Sequence, residues 1–272
     1  MVGSEVPLRV IERGSGSTVV MVHGAWGGPE DWLTTIVPLV EEQARCIVIE
    51  RPGHGWSSDT TPGAGTPLAQ ARVLRAAVRE LGIERPILAG FSYGASVCAA
   101  WATQWPDEVA GVLLVSPALY PWTGFESAAF AATNLPLVGE LSVPTLVMPM
   151  GLITAPASLA KVFTPETPPE SFTASPWRLA LRTANFRANI RDLRRLRSSV
   201  AIVSPYYPRI TAPVRLVHGT GDRVAYADFH SARFAKEVQH AQVTFIPDAG
   251  HQVLYTHPRI VAEELEALLQ VR

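Results

Sequence analysis

Apolar positions along this chain follow two alternating rhythms. Short β-branched runs with little polar interruption recur at 18–22, 46–49, 87–89, 112–115, 214–217 and 243–246, as strands covered on both faces require. Residues 8–12 predict an antiparallel edge strand ahead of them. Between the runs the period changes. Leu74, Ala77, Val78 and Leu81 keep the i, i+3, i+4, i+7 spacing of an amphipathic helix, closed by Gly82. Ile260, Val261, Leu265, Leu268 and Leu269 mark another, opened by Pro258. Strand and helix in alternation predict an α/β domain with a mostly parallel sheet flanked by helices.

The rhythm breaks over residues 117–210, where prolines such as Pro165, Pro168 and Pro169 accumulate and one long helix is expected at 177–197. A segment of this length is too long for a structureless loop inside a compact domain. We read it as a helical cap inserted into a core made of residues 1–116 and 211–272. The stretch 178–197 carries seven arginines, Arg178, Arg182, Arg187, Arg191, Arg194, Arg195 and Arg197. They predict a solvated helix face whose stems cover apolar neighbours; the alternative is an arginine aimed inward at an anionic substrate.

Composition narrows the class. The 272 residues are 47% hydrophobic and 17% charged, too apolar for a disordered chain and long enough for one large core. A net charge of −1 gives no reason to expect nucleic acid or an anionic membrane as partner. Cys46 and Cys98 both fall in apolar stretches and read as buried thiols rather than a disulfide framework. The N-terminal residues lack the apolar core of a signal peptide, and no run is apolar enough to span a bilayer. The expectation is a soluble, cytoplasmic protein.

Chemistry concentrates at Gly90-Phe91-Ser92-Tyr93-Gly94, between a predicted strand and a helix of small residues. This is the setting in which G-x-S-x-G presents a serine on a tight turn. A serine hydroxyl needs a base to take its proton. Of the seven histidines, His251 in P-D-A-G-H lies just beyond the last predicted strand, whereas His23, His54, His218, His230, His240 and His257 fall in turn, loop or helix contexts. The base in turn needs a carboxylate to fix its tautomer. Asp222 in H-G-T-G-D follows its strand directly, and the order Ser92, Asp222, His251 is the hydrolase order. Backbone N–H groups of Tyr93 and of Ala25, in H-G-A-W-G, are the expected oxyanion donors.

Together H-G-A-W-G, R-P-G-H-G-W-S, G-F-S-Y-G-A, H-G-T-G-D and A-G-H resemble the α/β-hydrolase superfamily in order and spacing over nearly the whole chain. The resemblance implies an eight-stranded, mostly parallel sheet, a cap after the sixth strand, and no metal or organic cofactor. Serine at the nucleophile position departs from haloalkane dehalogenases and epoxide hydrolases, which place aspartate there. The expected activity is hydrolysis of an uncharged carboxylic ester through an acyl-enzyme. Carbon–carbon bond hydrolysis and cofactor-free perhydrolysis use the same triad, and a ligand receptor on a hydrolase scaffold is the alternative of another kind. Trp26, Trp122, Phe125, Phe163 and Trp177 are the candidate pocket walls, with Phe172 nearby.

Overall fold

In the computed structural model, residues 1–3, 5–59, 65–122, 145, 148–175 and 177–271 are described. Seven strands form one sheet: β1 (Val10–Arg13), β2 (Ser17–Val22), β3 (Ala44–Ile49), β4 (Ile87–Phe91), β5 (Gly111–Val115), β6 (Val214–Gly219) and β7 (Gln242–Ile246). Their order is β1-β3-β2-β4-β5-β6-β7. All neighbours are parallel except β1, which runs antiparallel to β3 with Val10 opposite Ile49. The sheet therefore has seven strands among the described residues, not eight. Ahead of β1 the chain makes only an isolated bridge between Val2 and Leu8. Gly3 at φ 101° and Pro7, which has no N–H, keep that bridge from growing into a ladder.

The longer helices are α1 (Pro67–Glu80), α2 (Tyr93–Gln104), α3 (Met148–Phe163), α4 (Thr183–Val203) and α5 (Pro258–Leu269). The period-2 geometry of the strands splits their side chains between two cores. Val20, Val22, Leu88, Val112, Leu114 and Leu216 pack with α1, α2 and the end of α4, while Val19, Met21, Ala89, Leu113, Val115 and Val217 pack with α5 and the turns at 30–40. Burying each such side chain stabilises the fold by roughly 1.5–3 kcal/mol. Cys46 and Cys98 are buried and free, and burial pushes both thiols upward, Cys46 to about 11.

The segment between β5 and β6 contains α3 and α4. The helix expected at 177–197 is displaced. A 3₁₀ turn covers Trp177–Leu181, Arg182 is extended at φ −61°, ψ 141°, and α4 starts only at Thr183 and runs to Val203. Most of its arginines face solvent, whereas Asn185, Asn189 and Asp192 are buried against the core. Among the described residues no helix is long and apolar enough to cross a membrane.

The strand order reverses at β2, and the loops after β2, β4, β6 and β7 leave from the carboxyl edge of the sheet. That edge, at such a reversal, is where open α/β sheets place their ligand crevice.

Candidate active site

β4 runs into α2 with a single residue between them. Phe91 ends the strand, Tyr93 opens the helix, and Ser92 sits in the turn at φ 52°, ψ −112°. This backbone costs on the order of 1–3 kcal/mol for a residue with a Cβ. The turn closes because Gly94 has none: a Cβ there would lie 2.2 Å from the Val22 carbonyl oxygen. The Ser92 N–H donates to the Val115 carbonyl at 2.9 Å, so the hydroxyl is left facing the crevice.

His251 reaches the serine from the loop after β7. Its N–H donates to the Val162 carbonyl at 3.0 Å, in the last turn of α3. Gly250 lies flat against the same turn, where a Cβ would meet the Phe163 oxygen at 2.3 Å. The imidazole Nε2 stands 2.9 Å from Ser92 Oγ, and Nδ1 stands 2.6 Å from Asp222 Oδ2.

Asp222 is 3% exposed in the loop after β6. Its Oδ1 accepts the N–H groups of Val224 at 2.7 Å and Ala225 at 3.0 Å. Its Oδ2 also contacts His218 Nε2 at 3.0 Å, and His218 Nδ1 is 2.7 Å from Ser231 Oγ. A carboxylate only accepts, so both imidazoles present an N–H to it. In neutral rings that leaves His251 Nε2 bare toward the serine hydroxyl and makes Ser231 the donor to His218. Burial pushes the Asp222 carboxyl upward, but charge interaction with His251 and hydrogen bonds from His218 and His251 hold it well below the usual carboxylate range.

Sequence reasoning assigned His218 to a turn and missed this contact. The signal was its position four residues before Asp222, at the end of the same strand. Ala25 and Tyr93, whose N–H groups are the expected oxyanion donors, both border the crevice.

The crevice opens into a cavity of about 590 Å³ whose wall includes Ser92, His251, Trp26, Trp122 and Trp177. Phe172 lies on the wall too, but Phe163 does not. Phe163 is fully buried, with its ring 4.7 Å from Phe172 and 6.5 Å from Tyr255, and it works as the core beneath the His251 loop. Phe125 lies outside the described residues. Aromatic wall positions that sequence reasoning did not single out are Trp56, Phe186 and Tyr255. The charged wall residues are Glu30, Asp31, Glu50 and Arg182. Asp31 accepts from Tyr255 Oη at 3.0 Å and from the Gly28 N–H at 3.3 Å, and burial pushes its carboxyl up to about 7. Among the described residues no three His, Cys, Asp or Glu side chains are grouped to hold a metal ion.

Comparison with known proteins places the chain in a family. The model of the alpha/beta hydrolase family matches residues 19–264. The chain is 24% identical over 260 residues to a 2-hydroxy-6-oxo-6-phenylhexa-2,4-dienoate hydrolase of Burkholderia cepacia, covering 93% of this chain and 88% of that protein. It is 37% identical over 114 residues to the dihydrolipoyllysine-residue acetyltransferase component of an acetoin cleaving system from Cupriavidus necator; that match covers 41% of this chain and spans 30% of the relative's length. A haloalkane dehalogenase of Bradyrhizobium elkani superposes with a TM-score of 0.77 at 21% identity, over 99% of this chain and 96% of that one. At that identity the likeness carries the fold alone.

Proposed function

The chain belongs to the alpha/beta hydrolase family, and from that premise we propose that it is a serine hydrolase cleaving an uncharged carboxylic ester through an acyl-enzyme. The observation that carries the reading is the unbroken line of contacts from Ser92 Oγ through His251 to Asp222. In this scheme His251 Nε2 takes the hydroxyl proton as Oγ attacks the ester carbonyl, and the developing oxyanion faces the N–H groups of Ala25 and Tyr93. His251 then delivers the proton to the departing alkoxide. Water, deprotonated by the same nitrogen, attacks the acyl-enzyme and releases the acid, restoring Ser92. Asp222 stays ionised throughout and stabilises the imidazolium while it exists.

Carbon–carbon bond hydrolysis is the second reading, favoured by the relative whose name gives a dienoate substrate. The charge of the wall argues for the ester. A dienoate is a carboxylate, and the wall residues described set Glu30 and Glu50 against Arg182, whose guanidinium lies over Trp56 at 5.4 Å. We read α3 and α4 as part of a cap that closes an acyl pocket.

A p-nitrophenyl ester series tests the reading, with a dienoate included. Wild type should show a burst of p-nitrophenolate and label with a fluorophosphonate, and Ser92→Ala should do neither. Each buried methylene gains about 0.8 kcal/mol, so kcat/KM should rise with acyl length and then collapse where overpacking costs ~1–3 kcal/mol. Full activity in Ser92→Ala overturns the assignment, and a dienoate turned over better than every ester replaces the ester with the second reading.

A further inference from the structure

Arg51 and Asp192 are both 0% exposed. Arg51 follows β3 in the core, whereas Asp192 belongs to α4 of the inserted segment. Arg51 Nη1 donates to Asp192 Oδ2 at 2.7 Å and to Gln70 Oε1 at 3.1 Å, and Gln70 Nε2 donates to the same Asp192 oxygen at 2.8 Å. The other Asp192 oxygen accepts from Arg191 Nε at 3.0 Å and Nη2 at 2.8 Å. The second arm of Arg51 turns toward the proposed oxyanion hole. Its Nη2 donates to the Gly24 carbonyl at 3.2 Å, and its guanidinium carbon lies 4.4 Å from the centre of the Tyr93 ring.

The Gly24 carbonyl and the Ala25 N–H belong to one planar peptide, so a group that fixes the first aims the second. His23 acts on the same oxygen. The Arg51 N–H donates to His23 Nε2 at 3.0 Å, which places the ring proton on Nδ1, and Nδ1 donates to the Gly24 carbonyl at 2.9 Å. Burial and the neighbouring Arg51 hold His23 well below the usual histidine range, so it stays neutral in this tautomer. On the far side of Ala25, the Trp26 N–H donates to Asn189 Oδ1 at 2.8 Å. Asn189 and Asp192 lie one turn apart on α4. Helix α4 thus grips the loop on both sides of the Ala25 N–H, one of the two donors that the proposed chemistry uses.

We propose that Arg51 is a positioning residue for the oxyanion hole: anchored by Asp192 of α4, it orients the Gly24–Ala25 peptide and makes the inserted helix part of the oxyanion machinery. The inference rests on the acyl-enzyme reading. Two donors on the Gly24 carbonyl also polarise its peptide, which strengthens the Ala25 N–H as a donor. Lysine cannot replace Arg51, because one ammonium group does not span Asp192 and Gly24 with separate arms.

The experiment compares an oxygen ester with its thionoester in wild type, Arg51→Lys, Asp192→Asn and Asn189→Ala, and follows the Ala25 and Trp26 amide proton resonances by NMR. The thionoester develops charge on sulfur, a weak acceptor that gains little from N–H donors. The variants should lose roughly 10- to 100-fold in kcat on the oxygen ester, with KM changed by less than about threefold. The thionoester should lose far less, so the oxygen-to-sulfur rate ratio falls, and the Ala25 amide proton resonance should move upfield as its peptide loses polarisation. A general loss of folded protein would lower both rates together and leave the ratio unchanged. An unchanged ratio and an unchanged Ala25 resonance in both Asp192→Asn and Asn189→Ala overturn the inference. Should wild type neither turn over an ester nor label at Ser92 while the Ala25 resonance still moves in the variants, the ester reading falls and the clamp on the peptide stands.

Discussion

Asp222 and Asp192 are both buried carboxylates at the carboxyl edge of the sheet, and they are compensated in opposite ways. Asp192 accepts from the guanidinium groups of Arg51 and Arg191, whose charge is permanent. Asp222 accepts from two imidazoles and two backbone N–H groups, none of which carries a fixed charge. A carboxylate already paired with cations has little left to offer a new one. A carboxylate with no permanently charged partner can stabilise a positive charge when an imidazole beside it takes a proton. The first arrangement suits fixing geometry and the second suits moving a proton. Asp31 is a third case, with a phenol and a backbone N–H but no cation among its bonds, and its carboxyl rises to about 7 as a result of burial.

The largest expected effect separates the first two aspartates. Asp222→Asn keeps the shape but loses the charge and the tautomer control, and kcat should fall about 10⁴-fold. Asp192→Asn should lose no more than about 100-fold. Steady-state rates on one p-nitrophenyl ester decide this, and equal losses would erase the distinction. Next come the histidines. His251→Ala should lose several orders of magnitude, and His54→Ala far less. His218→Phe removes one charge-assisted hydrogen bond from Asp222 and should lose about 10-fold, with His218→Gln, which keeps an N–H donor, recovering most of it. If His218→Phe matched His251→Ala, the two imidazoles would have to share the proton work.

The smallest effect is on stability. The Asp31 carboxyl titrates at about 7 in the folded chain against an ordinary value of 3.8. Between those values the folded state holds a proton that the unfolded state has released. Stability therefore falls as pH rises through that window, and the penalty is complete above it. Asp31→Asn abolishes the titration, so its Tm should gain on wild type between about pH 4 and pH 8 by several degrees. Parallel Tm profiles for the two proteins would show that Asp31 is compensated by something other than Tyr255 and Gly28.

Much of this fold was legible before any coordinates. The continuous apolar runs marked every parallel strand to within two residues, because a strand covered on both faces leaves no room for polar alternation. Ser92, Asp222 and His251 stood out for a related reason: each follows a strand directly, and spacing in sequence becomes position along one edge of the sheet. What stayed hidden lies where local pattern and tertiary contact disagree. The buried face of α4 includes a polar row, Asn185, Asn189 and Asp192 at i, i+4 and i+7, and seven nearby arginines mask that spacing. Phe163 reads as a pocket aromatic by composition, yet its burial is set by Phe172 and Tyr255, which no sequence window joins to it. His218 was concealed by its resemblance to His23, since both occur in V-H-G at a strand end and only the fold gives them different partners.

The segment between β5 and β6 is stitched to the core at three loops: Val162 holds the backbone of His251, Asn185 holds that of Gly55, and Asn189 holds that of Trp26. This constrains how such a protein can change its substrate over evolutionary time or at the bench. A foreign segment grafted in whole between β5 and β6 would bring new walls but drop the stitches, and the recipient would have a reshaped pocket with slack chemistry. Changes confined to wall positions that carry no stitch, such as Leu159, Trp177 or Leu181, leave these loops fastened. New specificities in this scaffold should accordingly arise by point substitution along the helices of this segment, with module exchange succeeding only when Val162, Asn185, Asn189 and Asp192 travel with the graft.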